Sequence, residues 1–366
     1  MIIVKKGDYP RHIEEAGKHL IDITHGFAGM EKGIDHLSPS SISNLEECAN
    51  MLRLRNKYRF FSLYATLGNI FHSILEQYGA RKSYFIQHKL HGPVYTEGDF
   101  AHMKAVVVDN FIDGIRTDLI IGKLIISPRI PAKIEHQIGD MDLIRSVAHH
   151  LVGFFTMELA DEAAIGGLFP MLQESEVRGI IGRNLPVLGF IDSIKLSDDL
   201  KTAYVDDYKT AWTPQSKKNW EAAVIPTRQF WIYKKLVEEN IRDLIPTVEN
   251  VVPRLLLLSM TGSFVSQAMS GKNKTMTLEG VLKSKPEYSL YVKEFESQPL
   301  VDAQYENEIA MVEVMLENKI EIVARSKYGC GSCDYKQKCE YYRTINNIED
   351  EEESNGAETR TVPSNS

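Results

Sequence analysis

The sequence predicts an α/β fold, with strands flanked by helices, and two observations carry that prediction. Up to about residue 170 the apolar residues recur at helical spacing, and beyond it they alternate as in strands. The alternating stretch is then followed by helix, strand and helix patterns. At 366 residues, with 43% hydrophobic residues, the chain is long enough to bury a substantial core. We expect one domain over residues 1–348, a helical insertion over about 83–170, and an acidic tail at 349–366.

The first elements are helical. SPSSISNLEECANMLRLRNKYRF (38–60) opens with hydroxyl residues suited to a cap, and Ser43 with Glu46 fits an S-x-x-E capping box. In ATLGNIFHSILEQY (65–78), Leu67, Ile70, Phe71, Ile74, Leu75 and Tyr78 form one apolar stripe. Gly68, His72 and Glu76 form a parallel row beside it. DFAHMKAVVVDNFIDGI (99–115) and DLIRSVAHHLVGFFTMELA (142–160) read as further helices, with His149 and His150 on a helix surface and no chemistry assigned.

Three strands are expected next: QESEVRGIIG (173–182), PVLGFIDSIKL (186–196) and KTAYVDDYKT (201–210). A helix starts near Pro226 and Thr227, VVPRLLLLSM (251–260) reads as a strand, and a long helix covers 302–326. SGKNKT (270–275) fails the phosphate-loop motif in its glycine spacing and has no Ser or Thr directly after the Gly-Lys pair at Lys272, so an ATPase is unsupported.

The stretch YVDDYKTAW (204–212) holds the chemistry. Asp is depleted from strands because it competes for backbone hydrogen bonds and is costly to bury. Alternation puts Asp207 and Lys209 on one face and Asp206 and Tyr208 on the other. Asp206 then faces the opposite side or solvent, and Asp206→Ala is expected to leave most activity intact. A short turn upstream, GFID supplies Asp192, so two antiparallel strands bring Asp192, Asp207 and Lys209 together. Close carboxylates repel unless a cation lies between them, and hard oxygen donors suit Mg²⁺ or Mn²⁺. Such a set fits phosphodiester hydrolysis, with Lys209 orienting water or offsetting developing charge. Glu176 is a candidate outer residue, with Glu174 competing for the place.

G-F-I-D, then D-Y-K-T, then Q-F-W-I-Y, preceded by G-N-I-F-H, resembles the RecB-type branch of the PD-(D/E)XK nuclease superfamily. The resemblance implies a nuclease core built on a central mixed sheet flanked by helices. It implies that His72, Asp192 and Asp207 bind the metal with the carbonyl of Tyr208, and that Lys209 is the catalytic lysine. Gln229 and Tyr233 would line the site or contact nucleic acid.

The cysteines are Cys48, Cys330, Cys333 and Cys339, one before the acidic residues and three after them. Four thiolates suit a tetrahedral zinc or an iron–sulfur cluster, and spacing alone does not choose. The distribution resembles the [4Fe-4S] staple of AddAB-type helicase–nucleases and CRISPR-associated RecB-like exonucleases, as does LSPSSISNLEEC (37–48). Those families follow the first cysteine with Pro, where this chain has Ala49. Arg53, Arg55, Lys57 and Arg59, with Tyr58 and Phe60 between them, and Lys327, Tyr328, Lys336 and Lys338 flank the cysteines. Basic and aromatic residues interleaved in this way hold single strands without sequence preference.

The formal net charge is −8, but residues 349–366 carry six acids against one base, leaving −3 for the rest. A nearly neutral body is compatible with a local basic groove. MIIVKKGDYPR lacks the apolar core of a signal peptide and no run is long enough to span a bilayer, so a cytoplasmic protein without a membrane partner is expected. The resemblance implies DNA as partner, most plausibly single-stranded ends, and a role in recombination, repair or DNA processing. A helicase motif is missing, so the chain would act alone or with a separate helicase or recombination protein. Such stand-alone forms are typical of prokaryotes and their viruses.

Overall fold

The computed structural model describes residues 11–25, 32–61, 63–121, 123–126, 140–212, 214–223, 226–260, 269–270, 275–276, 278–320, 330, 333, 335, 339 and 342–343. The expected acidic tail, Lys327, Tyr328, Lys336 and Lys338 lie outside them.

Helices α1 (Arg11–Thr24), α2 (Pro39–Glu47) and α3 (Ala49–Lys57) precede a short strand β1 (Arg59–Phe61) and the long α4 (Leu63–Gln87). Helix α2 starts four residues before the expected capping box. Ser38 is its cap, its hydroxyl accepting from the Ser41 amide at 3.1 Å, with Pro39 at the first helical position. Next come α5 (Glu97–Ile120), the strand β2 (Leu124–Ile126), α6 (Met141–Gly153) and α7 (Met157–Ala164). The single helix expected over 142–160 is therefore two. It breaks at Gly153–Phe155, and Thr156 caps the second by accepting from Leu159 N–H.

The sheet contains β3 (Phe169–Ile181), β4 (Leu185–Leu196), β5 (Thr202–Ala211), β6 (Asn250–Met260) and β9 (Tyr288–Glu294), in the order β3-β4-β5-β6-β9. All neighbours are antiparallel except β5 and β6, which are parallel. The crossover between those two carries α8 (Pro214–Ala222) and α9 (Arg228–Leu244). Two short strands, β7 (Met269–Ser270) and β8 (Thr275–Met276), pair with each other, and α10 (Leu278–Lys283) and α11 (Pro299–Glu317) complete the elements. Helix α11 ends well before residue 326, because Asn318 and Lys319 turn the chain, Lys319 with φ at +51°.

Both faces of the sheet are covered, which makes this a three-layer arrangement. Helix α9 packs Tyr233, Val237 and Ile241 on Ile194, Leu196, Ala203 and Val205 of one face. The expected stripe of α4, with α5, α6 and α7, covers Tyr208, Leu256 and Leu258 on the other. A residue on β5 therefore meets α9 if it shares the parity of Val205, and the α4 layer if it shares that of Tyr208.

Strand β4 pairs with β3 along its whole length but with β5 only from Ser193 to Leu196. Its first half, freed from β5, accepts a bridge from Leu37, whose N–H and C=O bond Pro186 O and Leu188 N at 3.0 Å each. Asp192 sits at the point where β4 and β5 part.

Candidate active site

Asp207 shares the parity of Val205 and so points toward α9. There the Gln229 amide donates to Asp207 Oδ1 at 3.2 Å and to the Tyr233 hydroxyl at 3.2 Å. Both residues lie one helical turn apart near the start of α9, so one rotameric arrangement serves both. Tyr233 lies directly over β4 because residue 189 is Gly; a Cβ there would fall 2.4 Å from the ring. The Lys209 ammonium ion-pairs with Asp207 Oδ2.

Asp192 is held from two sides. The Tyr208 amide donates to its Oδ2 at 2.6 Å, a bond made possible because β4 has left the ladder there. His72 Nδ1 stands 3.5 Å from Oδ1, and its ring meets the Tyr208 ring edge-on with centroids 5.8 Å apart. Helix α4 carries His72 this close because residue 68 is Gly, where an added Cβ would lie 3.1 Å from the Thr210 hydroxyl. The G-x-x-x-H spacing thus has a steric meaning: the glycine lets the helix lie on β5, and the histidine one turn later reaches the carboxylate.

The electrostatics follow from this crowding. Burial alone would raise the Asp192 carboxyl, but His72, Lys209 and the Tyr208 amide outweigh it and hold the pKa below the usual value. For Asp207 burial prevails, reinforced by Asp192 and opposed by Lys209, and the pKa rises. Burial pulls His72 down, yet the Asp192 carboxylate more than offsets it and the imidazole is raised. Two neighbouring carboxylates whose ionisations are pushed in opposite directions are a pattern that marks candidate functional sites.

Two further carboxylates belong to this neighbourhood. Glu76, one turn beyond His72, is raised by burial and then by Asp192. Glu174, at the solvent-exposed rim, is raised by loss of surrounding water, then by Asp192 and Glu76. Flanking pairs Gln173↔Ser193 and Ser175↔Ile191 set Glu174 opposite Asp192 across the β3–β4 ladder. Its φ of +40° puts a non-glycine residue in the left-handed region within a strand, a strain usually tolerated at functional positions. Glu176, the alternative outer residue, instead ion-pairs with Arg178 at 3.0 Å. The row of Gly68, His72 and Glu76 in the sequence was the signal for Glu76; Glu174 required the register.

Asp206 points to the opposite face, as alternation requires, but not to solvent. It is fully buried and accepts from Arg254 at 2.7 and 2.9 Å, while Lys195 Nζ lies 2.7 Å from Oδ2.

Cys48 precedes α3 as its cap residue, without a side-chain capping bond. Burial and then the nearby Cys48 and Cys339 thiols raise the Cys330 pKa, so cysteines from the two ends of the chain gather in one place. Cys333 N–H turns back to Cys330 O at 3.2 Å, and Cys333 and Cys339 pack with Leu54, Tyr58 and Tyr335. Arg53 is half-buried on α3, and the Arg55 side chain lies outside the described residues. Among the described residues no three His, Cys, Asp or Glu side chains close around a common point. Among the described residues no helix is long and apolar enough to cross a membrane.

Residues 36–340 match the family model described as the PD-(D/E)XK nuclease superfamily. No curated protein matches the chain. Among solved structures, one titled "Crystal structure of SSO0001" is 14% identical, covering 57% of this chain and 81% of that chain, with a TM-score of 0.26. A likeness that loose has no bearing on the site.

Proposed function

The chain belongs to the PD-(D/E)XK nuclease superfamily, and on that premise we propose that it is a metal-dependent DNA nuclease of the RecB-type branch, acting as an exonuclease on single-stranded ends. The observation that carries the reading is the imbalance of charge around Asp192. Among the described residues, Glu76, Glu174, Asp192 and Asp207 share one neighbourhood in which His72 and Lys209 supply the positive charge. A hard divalent cation relieves that imbalance, and oxygen donors with one imidazole fit Mg²⁺ or Mn²⁺. His72, Asp192, Asp207 and the Tyr208 carbonyl would hold it. When bound, such a cation polarises a phosphoryl oxygen and makes water a stronger nucleophile at neutral pH.

The protein's own groups supply the rest. Gln229 bridges Asp207 and the Tyr233 hydroxyl, keeping the carboxylate in one rotamer as outer-shell groups do. The Tyr208 amide does the same for Asp192. Lys209, already against Asp207, can orient water toward phosphorus or offset the charge growing on the phosphoryl oxygens. DNA would approach past Gln229 and Tyr233, and Arg53 and Arg55 would supply positive charge for its phosphates.

Cys48, Cys330, Cys333 and Cys339 would hold a [4Fe-4S] cluster that ties the two ends of the chain together. Support comes from the meeting of N- and C-terminal thiols around Cys330. Zinc would suit the same donors, and colour separates the two: iron–sulfur protein is brown, zinc protein colourless. A cytoplasmic role in recombination, repair or DNA processing, with a separate helicase as partner, completes the proposal.

The test uses protein purified without oxygen, Mn²⁺, and end-labelled linear and circular single-stranded DNA. Digestion of the linear form alone is expected. Cutting of circles would replace exonuclease by endonuclease, and no cutting of either by folded protein would refute the nuclease reading.

A further inference from the structure

Lys195, Asp206 and Arg254 form a buried ionic triad across three adjacent strands, directly behind the acidic site. Lys195 and Asp206 are 0% exposed and Arg254 7%. The Arg254 fork closes on both Asp206 oxygens at 2.7 and 2.9 Å, and its guanidinium lies 4.7 Å from the Tyr204 ring centroid. Lys195 donates to Ala163 O at 2.6 Å, in the last turn of α7, where the helix dipole favours a cation. Each charge has a partner, but replacing such a triad by apolar side chains usually leaves a protein as stable or more so. Stability alone therefore does not account for it.

The neighbouring strands show what else it does. Register is well specified only where one face of a strand differs from the other, and a one-residue slip exchanges the faces. Strand β5 is covered on both sides, so burial by itself does not separate its two faces. Opposite it, β6 presents Leu255, Leu256, Leu257 and Leu258, one leucine at each successive step. Apolar packing against four consecutive leucines scarcely distinguishes one alignment from the next. The first residue of that stretch that does is Arg254, paired with Asp206.

We propose that the Lys195–Asp206–Arg254 triad is a register lock, a set of positioning residues that decides which of two adjacent aspartates faces the metal site. A slip of one residue would break all three ionic contacts at once and turn Asp206 toward Gln229 in place of Asp207. The lock rests on the nuclease reading only for the role given to Asp207; the register itself can be measured without it.

The experiment compares wild type with the apolar variant Lys195→Met/Asp206→Leu/Arg254→Met. In deuterated protein, amide-to-amide Overhauser contacts between β5 and β6 report the register. Electron paramagnetic resonance of free Mn²⁺ reports binding without any turnover. The folded variant is expected to give doubled or displaced β5 signals and Mn²⁺ affinity at least about tenfold weaker. One native register, with Asp207 still opposite Leu255 and Mn²⁺ bound as tightly as in wild type, would overturn the lock. Should the apolar variant not fold, Arg254→Lys keeps the charge and loses the fork. Faster β5 amide exchange, by about tenfold, with weakened Mn²⁺ binding supports the lock, and wild-type values of both overturn it. Wild-type protein that takes up no Mn²⁺ refutes the nuclease reading, while the register data still decide on the lock.

Discussion

The two faces of strand β5 treat adjacent aspartates in opposite ways. Asp206 is sealed beneath the α4 layer with two cations fixed on it at hydrogen-bond distance. Asp207, 3% exposed, has one amide donor, one ammonium and a second carboxylate nearby. The first is a saturated group with nothing left to offer, and the second is under-supplied with positive charge. Burial by itself therefore does not mark function; the balance of donors around the buried group does.

Breaking the saturated face should produce the largest effect. Asp206→Ala leaves Lys195 and Arg254 buried without an anion, and loss of one partner from such a set costs about 3–5 kcal/mol. Denaturant unfolding should show that loss, and activity should fall further than the folded fraction, because the register lock goes with Asp206. Alternation read from the sequence leads to the expectation that Asp206→Ala leaves most activity intact; it gives the face but not the two cations that lie beneath it.

The next effect concerns the boundary between the faces. Gly189→Ala drives a methyl into the Tyr233 ring, 2.4 Å away, and overpacking of this kind costs about 1–3 kcal/mol. Because Tyr233 accepts from Gln229, activity should fall further than stability. On the site face alone, Gln229→Ala should lower activity about 10–100-fold, the usual penalty for an outer-shell partner, with melting nearly unchanged. Glu174→Gln should lower activity by about tenfold on the same grounds, whereas Glu176→Gln should match wild type. Equal losses at both glutamates would mean that β3 is not in the register described. The smallest change is Gly68→Ala. A gain of up to about 1 kcal/mol in helix propensity opposes the 3.1 Å approach to Thr210, so melting should scarcely move.

Much of the site was legible because it is local. The pairing of GFID with VDDYK needs only a short turn, the stripe of α4 needs only periodicity, and Gln229 with Tyr233 needs only one helical turn. What escaped depends on distance along the chain. Arg254 lies 48 residues from Asp206, in a strand whose central positions beyond it read as a run of leucines. Glu174 entered the site through register across β3 and β4, and a strand with polar residues at 173–176 does not display its register. Helix ends were displaced for a related reason. Ser38 capped α2 ahead of the motif at Ser43, and the turn at Gly153–Phe155 divided a pattern whose apolar residues run on through it.

The most direct measurement is Mn²⁺-dependent cleavage of linear single-stranded DNA by wild type and Asp207→Asn, each with its melting curve. Burial raises the Asp207 pKa, so its ionised form opposes folding above the ordinary carboxylate range, and replacing it with a neutral isostere removes that opposition. The account predicts that wild type cleaves, and that Asp207→Asn fails to cleave while melting no lower than wild type. Equal cleavage by the two proteins would contradict it.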